Sequence, residues 1–228
     1  MKTDTAIRIL GTVLLTSITA CVGAARTAPS PQPGGTPAAG GPDLEALYRA
    51  RQDSARMRFT AADVQFVTGM IGHHAQALVT SGLAPTHGAS ASIRTLAARI
   101  TNAQKDEIDL MTQWLRDRGQ AVPEVHISGT TLTVHGAEHA LHMPGMLTTE
   151  QIQKLDGAQG AEFDRLFLTF MIQHHKGAVT MVHTLFGTQG AGQDEQVFKL
   201  ASDIQVDQIT EVARMERMLA AMGGSGAR

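Results

Sequence analysis

"MIGHHAQAL" runs from Met70 to Leu78, and "MIQHHKGAV" runs from Met171 to Val179. One phrase, Met-x-x-His-His-x-x-Ala, therefore occurs twice in a chain of 228 residues, offset by 101 positions. The same offset places Asp63 on Asp164, Phe66 on Phe167, Val67 on Leu168 and Ile71 on Ile172. Farther on, an offset of 104 places Ile93 on Val197, Leu96-Ala97 on Leu200-Ala201, Ile100 on Ile204, Gln104 on Gln208, Glu107 on Glu211, Ile108 on Val212, Met111 on Met215 and Leu115 on Leu219. Self-similarity at a fixed spacing marks a duplicated structural unit, and here that unit is a pair of helices.

Helical periodicity supports this reading. Positions 93, 96, 97, 100, 108, 111 and 115 form one apolar stripe, with Gln104 and Glu107 inside it. Thr60-x-x-Asp63 resembles a capping box, Ser90 can cap the next helix, and Thr148-x-x-Gln151 can cap a short helix in the connection. Glycine-containing breaks at 82–88, 119–123 and 187–192 end the segments. The spacing predicts long helices over 60–82, 90–118, 161–186 and 194–222. The economical fold is all-α: a four-helix bundle of two duplicated antiparallel helical hairpins joined by a long connection. Within that connection "VHISGTTLTVH" from Val125 alternates like a small β-hairpin turning at Ser128-Gly129. His139, His142, Met143 and Met146 then fall close together ahead of the short helix.

The flanks read differently. Residues 1–21 have the build of an export signal, with Lys2 and Arg8 ahead of an apolar run from Ile9 through Leu15. Ile18-Thr19-Ala20-Cys21 looks like a bacterial lipobox, whose cysteine receives the lipid. A soluble secretory signal and a retained anchor are the alternatives. Cys21 is the one cysteine of the chain, so no intramolecular disulfide can form. Residues 22–42 are a Pro/Gly-rich tether that cannot bury a core, 43–222 form the bundle domain, and 223–228 are a flexible tail. A net charge of −2 with scattered Lys and Arg argues against nucleic acid and against a polybasic membrane patch. Aromatic residues make up 4% of the chain while methionines number 11, which favours adaptable helical packing or soft-metal chemistry.

Adjacent helical residues stand about 100° apart, so His73 and His74 cannot both point along one radius. Met70, one histidine of the doublet and Ala77 share a face, and the small alanine leaves room beside an imidazole. If the two copies face each other, imidazole nitrogens and thioether sulfurs converge. Imidazole suits copper, zinc, iron or nickel, and thioether favours Cu(I). Copper, as Cu(I) or Cu(II), is the expected metal, with zinc and iron open. Gln104, Glu107, Gln208 and Glu211 could orient the imidazole N–H groups. A packing role for the histidines and methionines stays open beside the metal reading. Met181 and His183 extend the third long helix's face, where Thr80 breaks the repeat. His87, His126 and His135 read as surface residues.

On these residues the chain resembles the bacterial family called domain of unknown function 305. The resemblance rests on "MIGHH", "MPGML", "GAEFDRLFLTFMIQHHKGAVTM" and the paired Gln-x-x-Glu helices, and spans about Thr60 to Met222. It implies a ferritin-like four-helix bundle, commonly exported, with some members associated with copper binding and tolerance. The ligand candidates it implies are Met70, His73, His74, Met171, His174, His175 and Met181, with Met143 and Met146. His139 and His142 join them from the residue pattern alone.

The leading expectation is an exported lipoprotein of the cell envelope or periplasm. It is held to the membrane by a lipid on Cys21 and binds copper for buffering, tolerance or transfer to a partner protein. An interaction module with a structural histidine core and a copper-dependent oxidoreductase are the alternatives. Di-iron bundles use Glu-x-x-His on two helices, and no such motif occurs here, nor does a nucleophile, phosphate-loop or dinucleotide motif. The balance is against an enzyme. Oligomeric state has no sequence signal.

Overall fold

The computed structural model describes residues 43–56 and 58–224. The segments expected to be an export signal and a tether, with the expected lipidation site at Cys21, lie outside the described residues. Four long helices dominate: α2 (Ala61–Gly82), α3 (Ala91–Asp117), α5 (Gly160–Gly187) and α6 (Glu195–Gly224). They match the expected segments closely, and α6 continues to Gly224, past the expected edge of the bundle. A short helix α1 (Leu44–Arg56) precedes them and was not expected from the sequence. Its residues 44–54 are exposed, including Leu44, Leu47 and Tyr48. With no repeat partner and no core to face, it left no signal beyond local propensity. No helix among the described residues is long and apolar enough to cross a membrane.

The caps form where the sequence placed them. Thr60 Oγ1 accepts the Asp63 amide at 3.3 Å while Asp63 Oδ2 accepts the Thr60 amide at 2.7 Å, starting α2. Ser90 Oγ accepts from Ile93 N and starts α3. Thr148 and Gln151 close the same reciprocal box on α4 (Thr149–Asp156). The connection opens with strands β1 (Glu124–Ser128) and β2 (Thr131–His135), paired antiparallel. The turn is Gly129-Thr130, one residue later than expected, because Gly129 takes the positive φ of 57° that its tight loop demands. A 3-10 turn over Glu138–His142 follows.

The hairpin α2–α3 packs against α5–α6 through α2 and α5. The duplication is visible in the contacts. Asp63 Oδ1 accepts the amide of Gly192, in the loop of the second hairpin, at 2.7 Å. Its repeat counterpart Asp164 accepts the amide of Ser90, in the loop of the first hairpin, at 3.1 Å. Each aspartate thus ties its own helix start to the opposite loop, the reciprocity expected of a pseudo-two-fold axis. Asp194 takes the place of Ser90 in the second copy and caps α6 through the amides of Gln196 and Val197. It also accepts from Trp114 Nε1 at 3.0 Å and pairs with the buried Arg118, whose guanidinium lies over the Trp114 ring. Burial pushes the Asp194 carboxyl upward, but hydrogen bonds from Trp114 and Arg118 outweigh it and hold the group below its ordinary range.

Apolar side chains fill two adjoining clusters, one around Phe163, Phe167 and Leu96, the other around Met70, Trp114, Met181 and Ile204. The connection adds a small third cluster of Val134, Ala137 and Ala140. Residues 138–148 form a strap over α2 and α5. A Cβ on Gly72 would meet Ala140 Cβ at 2.5 Å, and a Cβ on Gly177 would meet Pro144 O at 2.0 Å, so both helices admit the strap because they carry glycine. Gln76 fastens it with both ends of its amide: Nε2 donates to Leu147 O at 3.0 Å and Oε1 accepts the Leu147 amide at 2.7 Å.

Candidate metal centre

All four histidines of the doublets are fully buried, as are Met70 and Met171. The expectation that one member of each doublet faces the partner helix is met by His73 and His174. Their rings lie at the α2–α5 interface with centroids 3.8 Å apart and planes inclined by 34°. His74 and His175 turn the other way, about one residue's rotation round each helix, toward α3 and α6. His175 Nε2 donates to Glu211 Oε2 at 2.7 Å. His74 Nε2 lies at the same 2.7 Å from Glu107 Oε2, but at an angle that does not make a hydrogen bond. The duplicated Glu residues therefore sit where the repeat implied, one beside the outer imidazole of each copy.

The inner pair is held by carbonyls. His73 Nε2 donates to Pro144 O of the strap at 3.1 Å, and His174 Nε2 donates to His73 O at 3.0 Å. A carbonyl oxygen can only accept, so in the neutral form of these two rings Nε2 carries the proton and Nδ1 the lone pair. All four Nδ1 atoms are buried with no partner among the described residues. Gln104 is also buried with both amide atoms unpartnered, and Gln208 with its Oε1 unpartnered. These two glutamines make no bond to the imidazoles they were expected to orient.

Burial, with the neighbouring His74 and His175 adding to it, lowers the His73 pKa to about 3. Burial and the other three imidazoles push His174 well below its ordinary value as well. Both rings are neutral in the folded chain, which fixes the sign of a linkage effect. Below pH 6.5 the unfolded chain binds protons that the folded chain refuses, so stability is full above that pH and is lost as pH falls toward 3. Each histidine contributes a slope of up to about 1.4 kcal/mol per pH unit. Urea titration of the metal-free protein at pH 7 and pH 5 is expected to show about 2 kcal/mol less stability at the lower pH from His73, with His174 acting in the same direction, and His73→Gln to remove its own share of the difference. A profile flat between the two values would contradict the burial of neutral rings.

The remaining candidates divide. Met143 lies against Gly69 on α2, and with Met181, Phe66 and Leu185 it lines one groove at the α2–α5 seam. Met146 lines a different groove beside Gln76 and Leu147. His139 and His142 are exposed, and His139 Nε2 meets Thr68 Oγ1 at 3.3 Å rather than joining the buried set. Thr80, which breaks the repeat opposite Met181, donates to Met171 Sδ at 3.2 Å, so one of the paired thioethers has a hydrogen bond. His87, expected at the surface, is buried: its Nδ1 faces Leu83 O and its Nε2 faces Asp156 O of the α4 end. The loop that carries it folds under α4, which no local pattern announced.

Two further groups escaped the sequence reading. Gln76 is one, and its counterpart at the 101 offset is Gly177, so the strap is gripped on α2 and admitted on α5. The other is Asp207, which forms with Asp203 and Glu211 an i, i+4, i+8 row on α6. Partial burial raises its pKa, and Glu107, Glu211 and Asp203 add to the rise, so the carboxylates behind the two outer histidines form one negative surface.

Among the described residues no three His, Cys, Asp or Glu side chains stand gathered round a common point for an ion. The inner rings are stacked closer than two imidazoles on one ion, whose centres stand about 5 Å apart at metal–nitrogen distances of about 2.0–2.1 Å. The donor set nevertheless fits a soft or borderline metal: four buried imidazoles whose Nδ1 atoms have no partner, three of them with Nε2 held by an acceptor, alongside buried thioethers.

Known structures share this architecture. A DUF305 fragment from Deinococcus radiodurans is 31% identical, with a TM-score of 0.59, covering 72% of this chain and 98% of its own. A DUF305 protein from Streptomyces coelicolor, described as secreted, is 26% identical with a TM-score of 0.57 over 71% of this chain and 94% of its own. CopM, solved in a Cu(I)-bound form, is 25% identical with a TM-score of 0.52 over 70% of this chain and 96% of its own. CopM has also been solved in Cu(II)-bound and silver-bound forms. No protein of curated description matches the chain. Residues 63–219 match the family described as "Domain of unknown function (DUF305)", and the chain belongs to that family.

Proposed function

We propose that the paired Met/His faces of α2 and α5 bind copper, and that the chain is an exported envelope protein that buffers copper or passes it to a partner. The single observation that carries this reading is the set of four buried, unpartnered Nδ1 atoms. A buried acceptor left without a donor costs about 1–3 kcal/mol, so a core built only for packing would not repeat the arrangement four times. His73, His74, His174 and His175 would supply the nitrogens, and Met70, Met171, Met181 and Met143 the thioethers. Thioether donors favour Cu(I) over zinc or a hard cation, and the copper-bound and silver-bound forms of CopM support the same choice. The metal-free rings are already neutral, so a metal need not displace protons from His73 or His174.

Export is supported by the signal-like N-terminus and by the relative described as secreted. Attachment through a lipid on Cys21 completes the reading, and the tether would give the domain reach from a membrane. The second reading, a structural histidine core, draws on the Nε2 contacts, which fasten α2 to the strap and α5 to both α2 and α6. It explains those bonds and leaves the Nδ1 atoms unexplained. Metal analysis of the full chain after equilibration with Cu(I), Cu(II), Zn(II) and Fe(II) in turn separates the two. Copper bound most tightly is the expected result, and a folded chain that retains no Cu(I) would overturn the proposal.

A further inference from the structure

The β-hairpin of the connection has two faces. Val125 and Val134, directly opposed in the register, point to the interior, with Val134 buried. Strand residues alternate, so Glu124, His126 and His135 share the outward face. Glu124 stands opposite His135, and His126 is two residues along the same strand as Glu124. Side chains in such positions are within mutual reach. The His126 and His135 rings are 5.7 Å apart, centre to centre, and His126 Nε2 is 3.8 Å from Glu124 Oε2.

These spacings can be compared with those an ion imposes. With metal–ligand bonds of about 2.0–2.1 Å in a tetrahedron, two imidazole centres stand about 5.2 Å apart and two donor atoms about 3.3 Å apart. The hairpin is within about 0.5 Å of both values before any side chain moves. His126 and Glu124 are 65% and 77% exposed, so their rotamers are free to close the remainder. This explains why the three are not gathered as they stand and yet can gather.

We propose that Glu124, His126 and His135 form a second metal site, on the surface of the hairpin, for a borderline divalent ion such as Zn(II) or Cu(II). The donors are two nitrogens and a carboxylate, without sulfur, so the site does not select Cu(I) as the buried thioether set would. Three protein ligands leave an open position for water or for a donor from another molecule, which suits exchange rather than storage. The hairpin meets α2 through its other face, so this site is independent of the buried histidines.

The test is Zn(II) uptake by the full chain, by equilibrium dialysis, beside a His126→Ala/His135→Ala variant, Glu124→Gln, and a variant with His73, His74, His174 and His175 all changed to Gln. The expected result is one Zn(II) equivalent that disappears in the hairpin variant, weakens in Glu124→Gln and persists in the four-glutamine variant. Circular dichroism checks that each variant stays helical, which the exposure of the hairpin positions favours. Zn(II) uptake equal in the full chain and the hairpin variant, or absent from both, would overturn the site. Loss of this equivalent in the four-glutamine variant instead would assign it to the buried set. Failure of the buried copper reading would leave the hairpin result unaffected.

Discussion

A chain carrying His73→Gln, His74→Gln, His174→Gln and His175→Gln together is expected to lose high-affinity Cu(I) binding while keeping its helical content. Glutamine is chosen because its amide N–H can reach toward the acceptors that Nε2 now serves: Pro144 O, His73 O and Glu211. What it removes is the imidazole lone pair. The experiment therefore separates the two roles of each ring, since the structural role tracks Nε2 and the metal role tracks Nδ1. Competition with a Cu(I) chelator measures the loss, and a fall of at least about a hundredfold corresponds to about 2.7 kcal/mol of binding free energy. Copper affinity unchanged in a folded four-glutamine chain would move the site elsewhere. Because these side chains touch one another, the four single variants are not expected to add up to the combined one.

Gly177→Ala is expected to loosen the strap. The added methyl would stand 2.0 Å from Pro144 O and 2.6 Å from Gly145 Cα, and both are backbone atoms that no rotamer change can withdraw. Overpacking of this kind costs about 1–3 kcal/mol. Its cost falls on the segment that receives the His73 N–H and the Gln76 amide. Hydrogen exchange at the Leu147 amide, which donates to Gln76 Oε1, is expected to speed up by about ten- to a hundredfold. The helical amides of α3 should change little, and protection at Leu147 equal to that of the unmodified chain would contradict the close fit of strap and helix. If the strap also shields the buried histidines, copper exchange accelerates in the same variant.

The helical hairpins were legible because each of their signals is local. The apolar stripe of 93–115 and the Thr60 and Thr148 capping boxes act within a few turns of chain, and each formed as read. The direction of each histidine was not legible, since the two members of a doublet are equivalent until the neighbours of the helix are known. Here α2 is covered by α3, α5 and the connection together, so a doublet that would be half exposed on an ordinary amphipathic helix is wholly buried. The acceptors for His73 and His87 come from residues about seventy positions away, beyond any periodic pattern. Gln76 and Gly177 hold matching places in the repeat, and only the strap gives their difference a meaning.

The central claim is that the four Nδ1 atoms of the doublets face a metal. Nitrogen-15 NMR of the histidine rings tests it most directly, with Ag(I) as a stand-in for Cu(I) that does not oxidise in air. In the metal-free chain His73 and His174 should show protonated Nε2 and bare Nδ1, and Ag(I) should shift the Nδ1 resonances of all four doublet rings. Rings protonated at Nδ1, or an Ag(I) shift confined to Nε2 or to other histidines, would contradict it.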